Sequence, residues 1–429
     1  MKPAQSKHFE SRLPSSIRQA QITFSQRSDK NSIQVINVAI GNVSLPMHPK
    51  MQLRMRELGK TRLADGIVKY TPTIGTKESR DAFIKIISAD IGFNIKGIHC
   101  SITDGGSQAM EIMMLGVCGP SSKKPLMIFD PAYTNYLEFG KRLSVPIITF
   151  ERTLMDNGEF EGLDLTRIEE SIKKNNPAGL LLIPYDNPTG QLLNKEDIIA
   201  LAKLCVKYNI WLISDEAYRG LSYRISYYSN SIWSLNTKDI PGLEGRRISI
   251  ESSSKIWNAC GLRIGGLVTD NFDFHEKSIF EYTANLSANS IGQEIFGALA
   301  YEKVEDLNKW MNNQRKYYNK LMTKLRSDLL KQIPGLIVSL PQASIYLVID
   351  FRKISNNNFN SIKFVKYCAS KGKVYLNGKY FTLLMAPMER FYTKSKQGKT
   401  QLRLAIVEAP DLLFNIPKIL HSLYLSYSN

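Results

Sequence analysis

The chain has 429 residues, of which 43% are hydrophobic and 22% are charged. This balance excludes a disordered or fibrous protein and is enough for a large core in more than one domain. The 56 Lys and Arg residues exceed the 39 Asp and Glu residues, which gives a formal charge of +17. Because the lysines are dispersed and no helix-turn-helix or zinc-finger spacing occurs, we interpret the excess as a solvated basic surface and expect no nucleic-acid partner.

The five cysteines are odd in number and far apart in the chain. This pattern predicts free thiols in a reducing compartment rather than a disulfide framework. The five histidines form no ligand cluster with them, so we expect no metal site. No secretory signal and no apolar window of about 20 residues is visible. We therefore predict a soluble, cytoplasmic protein with no membrane partner.

Two elements are predicted in the first 50 residues. Pro14 and Ser15 precede apolar residues at helical spacing, which predicts a capped helix. Residues 33–40 are apolar with partial alternation, which predicts a strand that ends at Gly41. A glycine there either lets a ligand approach the backbone amides or merely ends the strand, and the local sequence fits both readings.

The segment 99–108 combines a short predicted strand, residues 99–103, with the start of a helix. The helix opens with Asp-Gly-Gly-Ser-Gln at 104–108. Free amides and the helix dipole make such a start a cradle for an anion, with Gly106, Ser107 and Gln108 as candidate ligands. Plain helix capping explains the same residues equally well.

Four further segments predict strands. Residues 126–129, 179–184 and 210–213 are apolar runs, which are typical of a parallel sheet covered on both faces, and residues 247–251 are a β-rich run. A distinctive side chain follows each run in turn: Tyr133, Asn187, Asp215 and Lys255.

The alternation of strands with helices predicts a doubly wound α/β domain with a mostly parallel sheet. Ligands of such sheets bind at the carboxyl ends of the strands, which is where these four side chains fall. From about residue 270 the pattern becomes helical and then changes to shorter strands, which predicts a smaller α+β domain. We predict an N-terminal segment 1–50 that joins the smaller domain, a large domain 51–300 and a C-terminal part 301–429 of the smaller domain.

The stretch after the last of these strands contains three serines, Lys255 and Arg263. Hydroxyls and a guanidinium suit phosphate oxygens, and an amine that loses its proton can attack a carbonyl carbon. Taken alone, such a stretch is more often a solvated loop, so the rest of the chain has to decide between the two readings.

Three motifs occur in order, each after an apolar strand: Asn-Pro-Thr-Gly at 187–190, Asp-Glu-Ala-Tyr at 215–218 and Ser-Ser-Ser-Lys at 252–255, with Arg263 beyond them. Together they resemble the class I/II aminotransferases, fold-type I enzymes that depend on pyridoxal 5′-phosphate (PLP). The resemblance runs from about residue 14 almost to the C-terminus. It implies a transaminase that moves an α-amino group from an amino acid to a 2-oxo acid, and a homodimer with a shared active site.

The resemblance also implies roles for individual residues. Asp215 keeps the pyridine nitrogen of PLP protonated, so that the cofactor acts as an electron sink. Lys255 carries the cofactor as a Schiff base and shuttles a proton, and Asn187 and Tyr218 donate to the phenolic oxygen. The remaining assignments are ring stacking by Tyr133, phosphate binding by Gly106, Ser107, Gln108, Ser252 and Arg263, and a phosphate contact by Tyr70 from a neighbouring subunit.

The substrate carboxylate is the second group that the resemblance accounts for. Arg403, in Leu-Arg-Leu-Ala at 402–405, matches the family's C-terminal arginine, and Gly41 and Asn187 match its other substrate contacts. Met388 departs from the family, which usually has glycine there after a proline. Arg390 either binds an acidic side chain or points to solvent, so the substrate is not assigned by analogy.

Two alternatives share the motifs. A PLP enzyme that eliminates at Cβ or Cγ, such as a carbon–sulfur lyase or a cyclopropane-forming synthase, uses the same Asp, Lys and Arg. A transcription regulator built on an aminotransferase domain needs an additional DNA-binding domain, and only about a dozen residues precede the resemblance. The motifs name neither the amino donor nor the acceptor.

Overall fold

A computed structural model describes residues 3–12, 14–224, 228–356, 359–394 and 397–428, without the side chains of 16 and 17. The strands in these ranges are β1 (Ile33–Asn37), β2 (His99–Asp104), β3 (Leu126–Asp130), β4 (Ile147–Glu151), β5 (Gly179–Leu182), β6 (Trp211–Asp215), β7 (Arg247–Ser252), β8 (Ile264–Thr269), β9 (Ile337–Val338), β10 (Tyr346–Asp350), β11 (Val374–Leu376), β12 (Lys379–Leu384), β13 (Ala386–Pro387) and β14 (Gln401–Ala405). The α-helices are α1 (Lys7–Glu10), α2 (Ser16–Ser25), α3 (Pro49–Glu57), α4 (Lys77–Ile91), α5 (Gly105–Val117), α6 (Thr134–Leu143), α7 (Leu165–Asn175), α8 (Lys195–Lys207), α9 (Phe272–Tyr282), α10 (Ser290–Phe296), α11 (Val304–Gln332), α12 (Ser361–Ser370), α13 (Pro410–Leu413) and α14 (Ile416–Ser428).

The chain divides into two compact units. The large unit consists of Asn42–Thr323 and Ser339–Tyr346, and the small unit of Met1–Gly41, Lys324–Val338 and Leu347–Asn429. The sequence placed boundaries at residues 50 and 300 instead. The observed division falls within α11, because this helix continues for 29 residues without a break and gives the sequence no boundary signal at that point.

The large unit is built on a seven-stranded sheet with the strand order β2-β8-β7-β6-β5-β3-β4. The pairs from β4 through β3, β5 and β6 to β7 are parallel, and β8 is antiparallel to both of its neighbours. Parallel neighbours need crossover connections, which here contain helices. This confirms the predicted fold class, a doubly wound α/β domain with a mostly parallel sheet.

Most residues in the strands of this sheet are buried, and the partly exposed ones lie in β2, β4 and β6. Every residue of β3, β5, β7 and β8 is buried. Burial on both faces explains the continuous apolar runs of β3 and β5, whereas β7 also buries the polar side chains of Arg247, Ser249 and Glu251. The main core cluster packs α5 against the sheet and includes Met110, Met113, Leu181, Ile213 and Ile250.

The register brings the ends of four strands to one edge of the sheet. Asp215, at the end of β6, is paired with Ile250, and Ser252, at the end of β7, is paired with Gly265. On the other side of β8, Asp104 at the end of β2 is paired with Ile264. The start of α5 follows Asp104 directly, so the predicted anion cradle lies at the same edge as Asp215 and Ser252.

The small unit contains two sheets, with the orders β1-β12-β11 and β13-β14-β10-β9. Val38 links them, since its N–H donates to Leu384 at 2.9 Å and its carbonyl accepts from Ala405 at 2.8 Å. The strand predicted at 33–40 ends earlier, at Asn37. The side-chain oxygen of Asn37 accepts from the N–H of Ala39 at 3.2 Å, a local bond that competes with continued strand pairing.

The five cysteines all lie in the described ranges. All five cysteines are free thiols, and Cys100, Cys205 and Cys368 are buried. Burial raises the pKa of Cys205 to about 12, so this thiol stays protonated and unreactive.

None of the described helices has the length and apolar character needed to cross a bilayer.

Gly265 provides a test of the close approach between β8 and α5. A Cβ at this position would lie 2.4 Å from the carbonyl carbon of Gly105 and 2.5 Å from the nitrogen of Gly106, both backbone atoms. We expect Gly265→Ala to lower the free energy of unfolding by about 1–3 kcal/mol, measured by chemical denaturation. The control is Gly261→Ala, whose Cβ meets no atom within 4 Å and should cost less than about 0.5 kcal/mol. Equal stability of both variants would contradict the close approach.

Candidate active site

Lys255 lies in a tight turn at the carboxyl end of β7. The hydroxyl of Ser252 accepts from the N–H of Ser254 at 3.1 Å, and the hydroxyl of Ser253 donates to the carbonyl of Ile264 at 2.9 Å. The carbonyl of Lys255 itself accepts from the N–H of Asn258 at 3.1 Å. These bonds fix the backbone on both sides of Lys255, whose side chain is half-buried. Of the two readings of this stretch taken alone, a plain solvated loop does not fit a backbone fixed in this way.

Arg263 lies beside the start of α5. Its φ of 55° is in the left-handed region, and its Nη1 donates to the carbonyl of Cys260 at 3.1 Å. A Cβ at Gly105 would lie only 2.3 Å from Nη2 of Arg263, so the absence of a side chain at Gly105 makes room for the guanidinium. A Cβ at Gly106 would lie 3.8 Å from the Cβ of Ser252. The structure thus brings Gly106, Ser252 and Arg263 together at a helix N-terminus.

Ser107 and Gln108 complete the first turn of α5, and both are half-buried. The side-chain oxygen of Gln108 accepts from the backbone N–H of Asp104 at 2.9 Å, which is a capping interaction. The Gln108 side chain therefore caps the helix, while the amides of the first turn remain a candidate anion cradle.

Asp215 is the most strongly perturbed acid among these candidates. Its side chain is 3% exposed, and burial raises its pKa to about 6. The hydroxyl of Tyr136 donates to Oδ2 at 2.7 Å, and the N–H of Ala217 donates to Oδ1 at 3.0 Å. Tyr136 is fully buried and belongs to α6. The carboxyl is therefore fixed in orientation and has a proton affinity well above that of an exposed aspartate.

Tyr218 forms a buried pair with Tyr346. Their hydroxyl oxygens are 2.7 Å apart, and their rings meet edge to face with centroids 5.6 Å apart. Both side chains are almost fully buried, with exposures of 4% and 2%. Since a hydroxyl can donate one bond and accept others, Tyr346 orients the phenol of Tyr218.

The turn that carries Asn187 is held by a buried ion pair. Nη2 of Arg152 lies 2.7 Å from Oδ2 of Asp186, the residue before Asn187, and the hydroxyl of Thr189 donates to the same oxygen at 2.5 Å. Gly190 closes the turn with a φ of 71°, and its Cβ would lie 2.3 Å from the carbonyl oxygen of residue 346. Only glycine fits this approach, which explains the glycine at the end of the motif.

Tyr133 and Tyr70, the other aromatic candidates in the large unit, differ in exposure. Tyr133 immediately precedes α6 and is half-buried, with its ring 6.2 Å from that of Tyr136. Tyr70 is 79% exposed. The structure therefore leaves Tyr70 on the surface of the single chain.

Arg403 and Gly41 belong to the small unit. Arg403, on β14, is 3% exposed, and its Nη2 donates to the carbonyl of Ala39 at 2.7 Å. Its guanidinium carbon lies 4.8 Å from the centroid of the Phe391 ring. Ala39, which accepts this bond, is two residues before Gly41 in the sequence. Arg403 is therefore a buried side chain rather than a strand-exposed charge.

The departures from the family pattern also lie in the small unit. Met388 is fully buried in a short 3-10 turn, so a large apolar side chain is accommodated where glycine was expected. Arg390, in the same turn, is exposed.

The sequence reasoning missed four supporting residues. They are Tyr136, Arg152, Arg219 and Tyr346. Tyr136 carried a usable signal, because it is one helical turn after Tyr133 at the start of α6. Arg152 and Tyr346 are joined to the site by contacts between distant segments, which leave no local pattern. Arg219 directly follows Tyr218, but its partner Glu251 is 32 residues away.

Comparison with known proteins identifies the family. The sequence pattern of the family described as Aminotransferase class I and II matches residues 33–405. The chain is 23% identical over 406 residues to a probable kynurenine–oxoglutarate transaminase of Saccharomyces cerevisiae, which covers 89% of this chain and 85% of that protein. It is 27% identical over 351 residues to an aspartate aminotransferase of Pyrococcus horikoshii, with coverages of 79% and 81%. The solved N-succinyldiaminopimelate aminotransferase of Mycobacterium tuberculosis has the same fold, with a TM-score of 0.80, 19% identity and coverages of 98% and 100%.

The chain therefore belongs to the class I and II aminotransferases. It is a transaminase, an enzyme that transfers an amino group between an amino acid and a 2-oxo acid. Enzymes of this family depend in general on PLP. The relatives and the structural neighbours are named as aminotransferases, so they support transfer rather than elimination.

The raised pKa of Asp215 makes the stability of the cofactor-free protein depend on pH. Because the pKa of the folded state is about 6 and the usual value is 3.8, the unfolded chain loses this proton first as the pH rises. The free energy of unfolding should therefore fall between about pH 4 and pH 6, by up to about 3 kcal/mol from this group. Asp215→Asn, which does not titrate, should lack this component. Chemical denaturation of both proteins across the range measures it, and a difference independent of pH would contradict the raised pKa.

Proposed function

We propose that the large unit binds PLP at the carboxyl edge of its sheet, where Asp215 would be the partner of the pyridine nitrogen and Lys255 the covalent anchor. The buried, hydrogen-bonded carboxyl of Asp215 is the observation that carries this proposal. Burying a carboxylate is costly unless a cation or donors compensate for it. A protonated ring nitrogen supplies the cation, and Tyr136 already supplies a donor at 2.7 Å.

The phosphate of the cofactor fits the cradle at the start of α5. Free amides at a helix N-terminus, the hydroxyl of Ser252 and the guanidinium of Arg263 are all donors suited to phosphate oxygens. The lack of a side chain at Gly105 makes room for the guanidinium of Arg263 beside this helix start. Ser107 and Gln108 add amides from the same turn.

The proposed roles of the remaining residues follow from their chemistry. When bound, PLP supplies an electron sink that lowers the cost of removing a proton from the amino acid Cα. Nζ of Lys255 holds the cofactor and then moves this proton. Asn187 and Tyr218, each held by buried neighbours, donate to the phenolic oxygen, and Tyr133 stacks on the ring. Tyr218, Asp215 and Lys255 are the proposed catalytic residues.

Arg403 is proposed as the clamp for the substrate carboxylate, together with the amide of Gly41 and the side chain of Asn187. A guanidinium presents parallel N–H donors that match the two oxygens of a carboxylate. The bond from Nη2 to Ala39 and the ring of Phe391 restrict the rotamers of the Arg403 side chain. A clamp that is held in place loses less conformational entropy when the substrate binds.

The relatives suggest which donors to examine first. They are named as kynurenine–oxoglutarate and aspartate aminotransferases. We therefore propose an α-amino acid donor from a panel that includes kynurenine and aspartate, with 2-oxoglutarate as the first acceptor. Arg390 is exposed, and a contact to an acidic donor side chain remains a proposal.

Lys255→Ala tests the covalent anchor. Purified protein incubated with PLP should lose the visible absorbance of lysine-bound cofactor, and amino transfer across the donor panel should fall roughly a thousandfold or more. The control is Lys309→Ala, which removes an exposed lysine from α11 and should change neither signal. A Lys255→Ala protein that retained both would refute the assignment.

We also propose that the enzyme is a cytoplasmic homodimer in which Tyr70 reaches the cofactor phosphate of the other subunit. Support comes from a run of exposed apolar side chains between residues 53 and 70. Their exposures are 45% at Leu53, 45% at Met55, 52% at Ile67, 53% at Val68 and 79% at Tyr70. Such a concentration of exposed apolar surface is typical of a protein interface.

A mixing experiment tests the shared site. In a heterodimer of Lys255→Ala and Tyr70→Phe subunits, one of the two sites contains both native residues. We expect the mixed sample to exceed the summed activity of the two single variants several-fold. The control mixes Lys255→Ala with Asp215→Asn, which lie in the same subunit's site and restore nothing if Tyr70 alone comes from the other subunit. Heterodimers without recovered activity would show that Tyr70 acts within its own chain or not at all.

A further inference from the structure

A cluster of four buried charged side chains includes three that are next in sequence to proposed cofactor residues. It consists of Asp90 from α4, Glu216 and Arg219 from the turn after β6, and Glu251 from β7. Each of the four side chains is at most 5% exposed. We call it the Arg219 cluster.

The Arg219 cluster joins the ends of two neighbouring strands. Nε and Nη2 of Arg219 donate to the two carboxylate oxygens of Glu251 at 3.0 and 2.6 Å. Arg219 directly follows Tyr218, and Glu251 directly precedes Ser252. This bidentate pair therefore couples the position of Tyr218 to that of Ser252.

The guanidinium is shared unequally among the three acids. Its Nη1 donates to Asp90 at 3.1 Å, whereas Glu216 Oε2 lies 3.6 Å from Nη2, beyond hydrogen-bond distance. Among the described residues, Glu216 Oε2 has no hydrogen-bond partner, although Oε1 accepts from Ser214 at 2.9 Å. Of the acids in the cluster, Glu216 has the weakest contact with the cation.

We propose that Glu216 holds a proton in the folded enzyme, and that the Arg219 cluster is a positioning group that sets the charge felt by the neighbouring Asp215. The second half rests on the proposed function, because Asp215 needs the correct charge only if it supports a pyridine nitrogen. If Glu216 were ionised, a second carboxylate would lie one residue from Asp215. The added negative charge would raise the proton affinity of Asp215, and the carboxylate that the ring nitrogen needs would be lost.

The charges around Glu216 favour a proton on this residue. Burial, together with the charges of Glu251 and Asp90, raises the pKa of Glu216 to about 7 against the opposing charge of Arg219. Glu251 also raises the pKa of Asp215 on β6 and of Cys100 on β2, after the larger effect of burial in each case.

The first test uses the cofactor-free protein and compares wild type with Glu216→Gln, which mimics the protonated acid. A raised pKa means that folding holds the proton more tightly than the unfolded chain does. Stability from Glu216 is therefore complete below its usual pKa and is lost as the pH rises towards about 7. Between about pH 4 and pH 8, the unfolding equilibrium constant of wild type should rise relative to that of the Gln variant by on the order of 100-fold.

The control for this test is Glu276→Gln, the same substitution at an exposed position of α9, which should show no such divergence. A pH-independent difference, or one that grows against the Gln variant as the pH rises, would overturn the proton on Glu216. This readout does not depend on cofactor binding, so it separates failure of this inference from failure of the proposed function.

The second test follows the visible absorbance of bound PLP against pH. Glu251→Gln removes a negative charge that acts on Asp215. We therefore expect the visible absorbance of PLP bound to this variant to change at a lower pH than in wild type. Glu216→Gln should match wild type below about pH 6, where both proteins carry a neutral group at this position. Identical transitions in wild type and Glu251→Gln, with normal PLP binding, would overturn the influence of the cluster on the cofactor site.

Discussion

The site depends on keeping one carboxyl, that of Asp215, out of water. Taking a carboxylate out of water is unfavourable, and the pKa of about 6 records that cost. Two fixed donors make the position tolerable, the local N–H of Ala217 and, from elsewhere in the fold, the hydroxyl of Tyr136 on α6. The position of α6 after β3 and the parallel pairing that places β6 in the middle of the sheet both serve this contact.

Buried arginines hold the loops around this carboxyl. Arg152 holds Asp186 beside Asn187, and Arg219 holds Glu251 beside Ser252. Buried ion pairs often contribute little net stability, because desolvation offsets their attraction. Their directional hydrogen bonds nevertheless restrict a loop to one geometry. We infer that these pairs serve the position of the cofactor residues more than the stability of the fold.

The sequence predicts the fold best where the same residue pattern recurs along the chain. Buried parallel strands appear as continuous apolar runs, so the sheet edge and the neighbourhood of Asp215, Ser252 and Arg263 could be predicted. Tyr346 could not be placed against Tyr218, because 128 residues separate them and no local periodicity links them. The early end of β1 was missed for a different reason, since a single Asn37 side-chain bond outweighs strand propensity there.

The short segment Ser339–Tyr346 has a consequence for dissecting the protein. It belongs to the large unit although the chain before and after it belongs to the small one. Its backbone binds the turn at Gly190, with Gln342 and Ala343 donating to the glycine carbonyl at 3.1 and 2.8 Å. A truncated chain that stopped at residue 323 would expose this turn and leave Tyr218 without its hydroxyl neighbour. Any contiguous stretch of coding sequence that contains the whole large unit therefore also encodes residues 324–338 of the small unit.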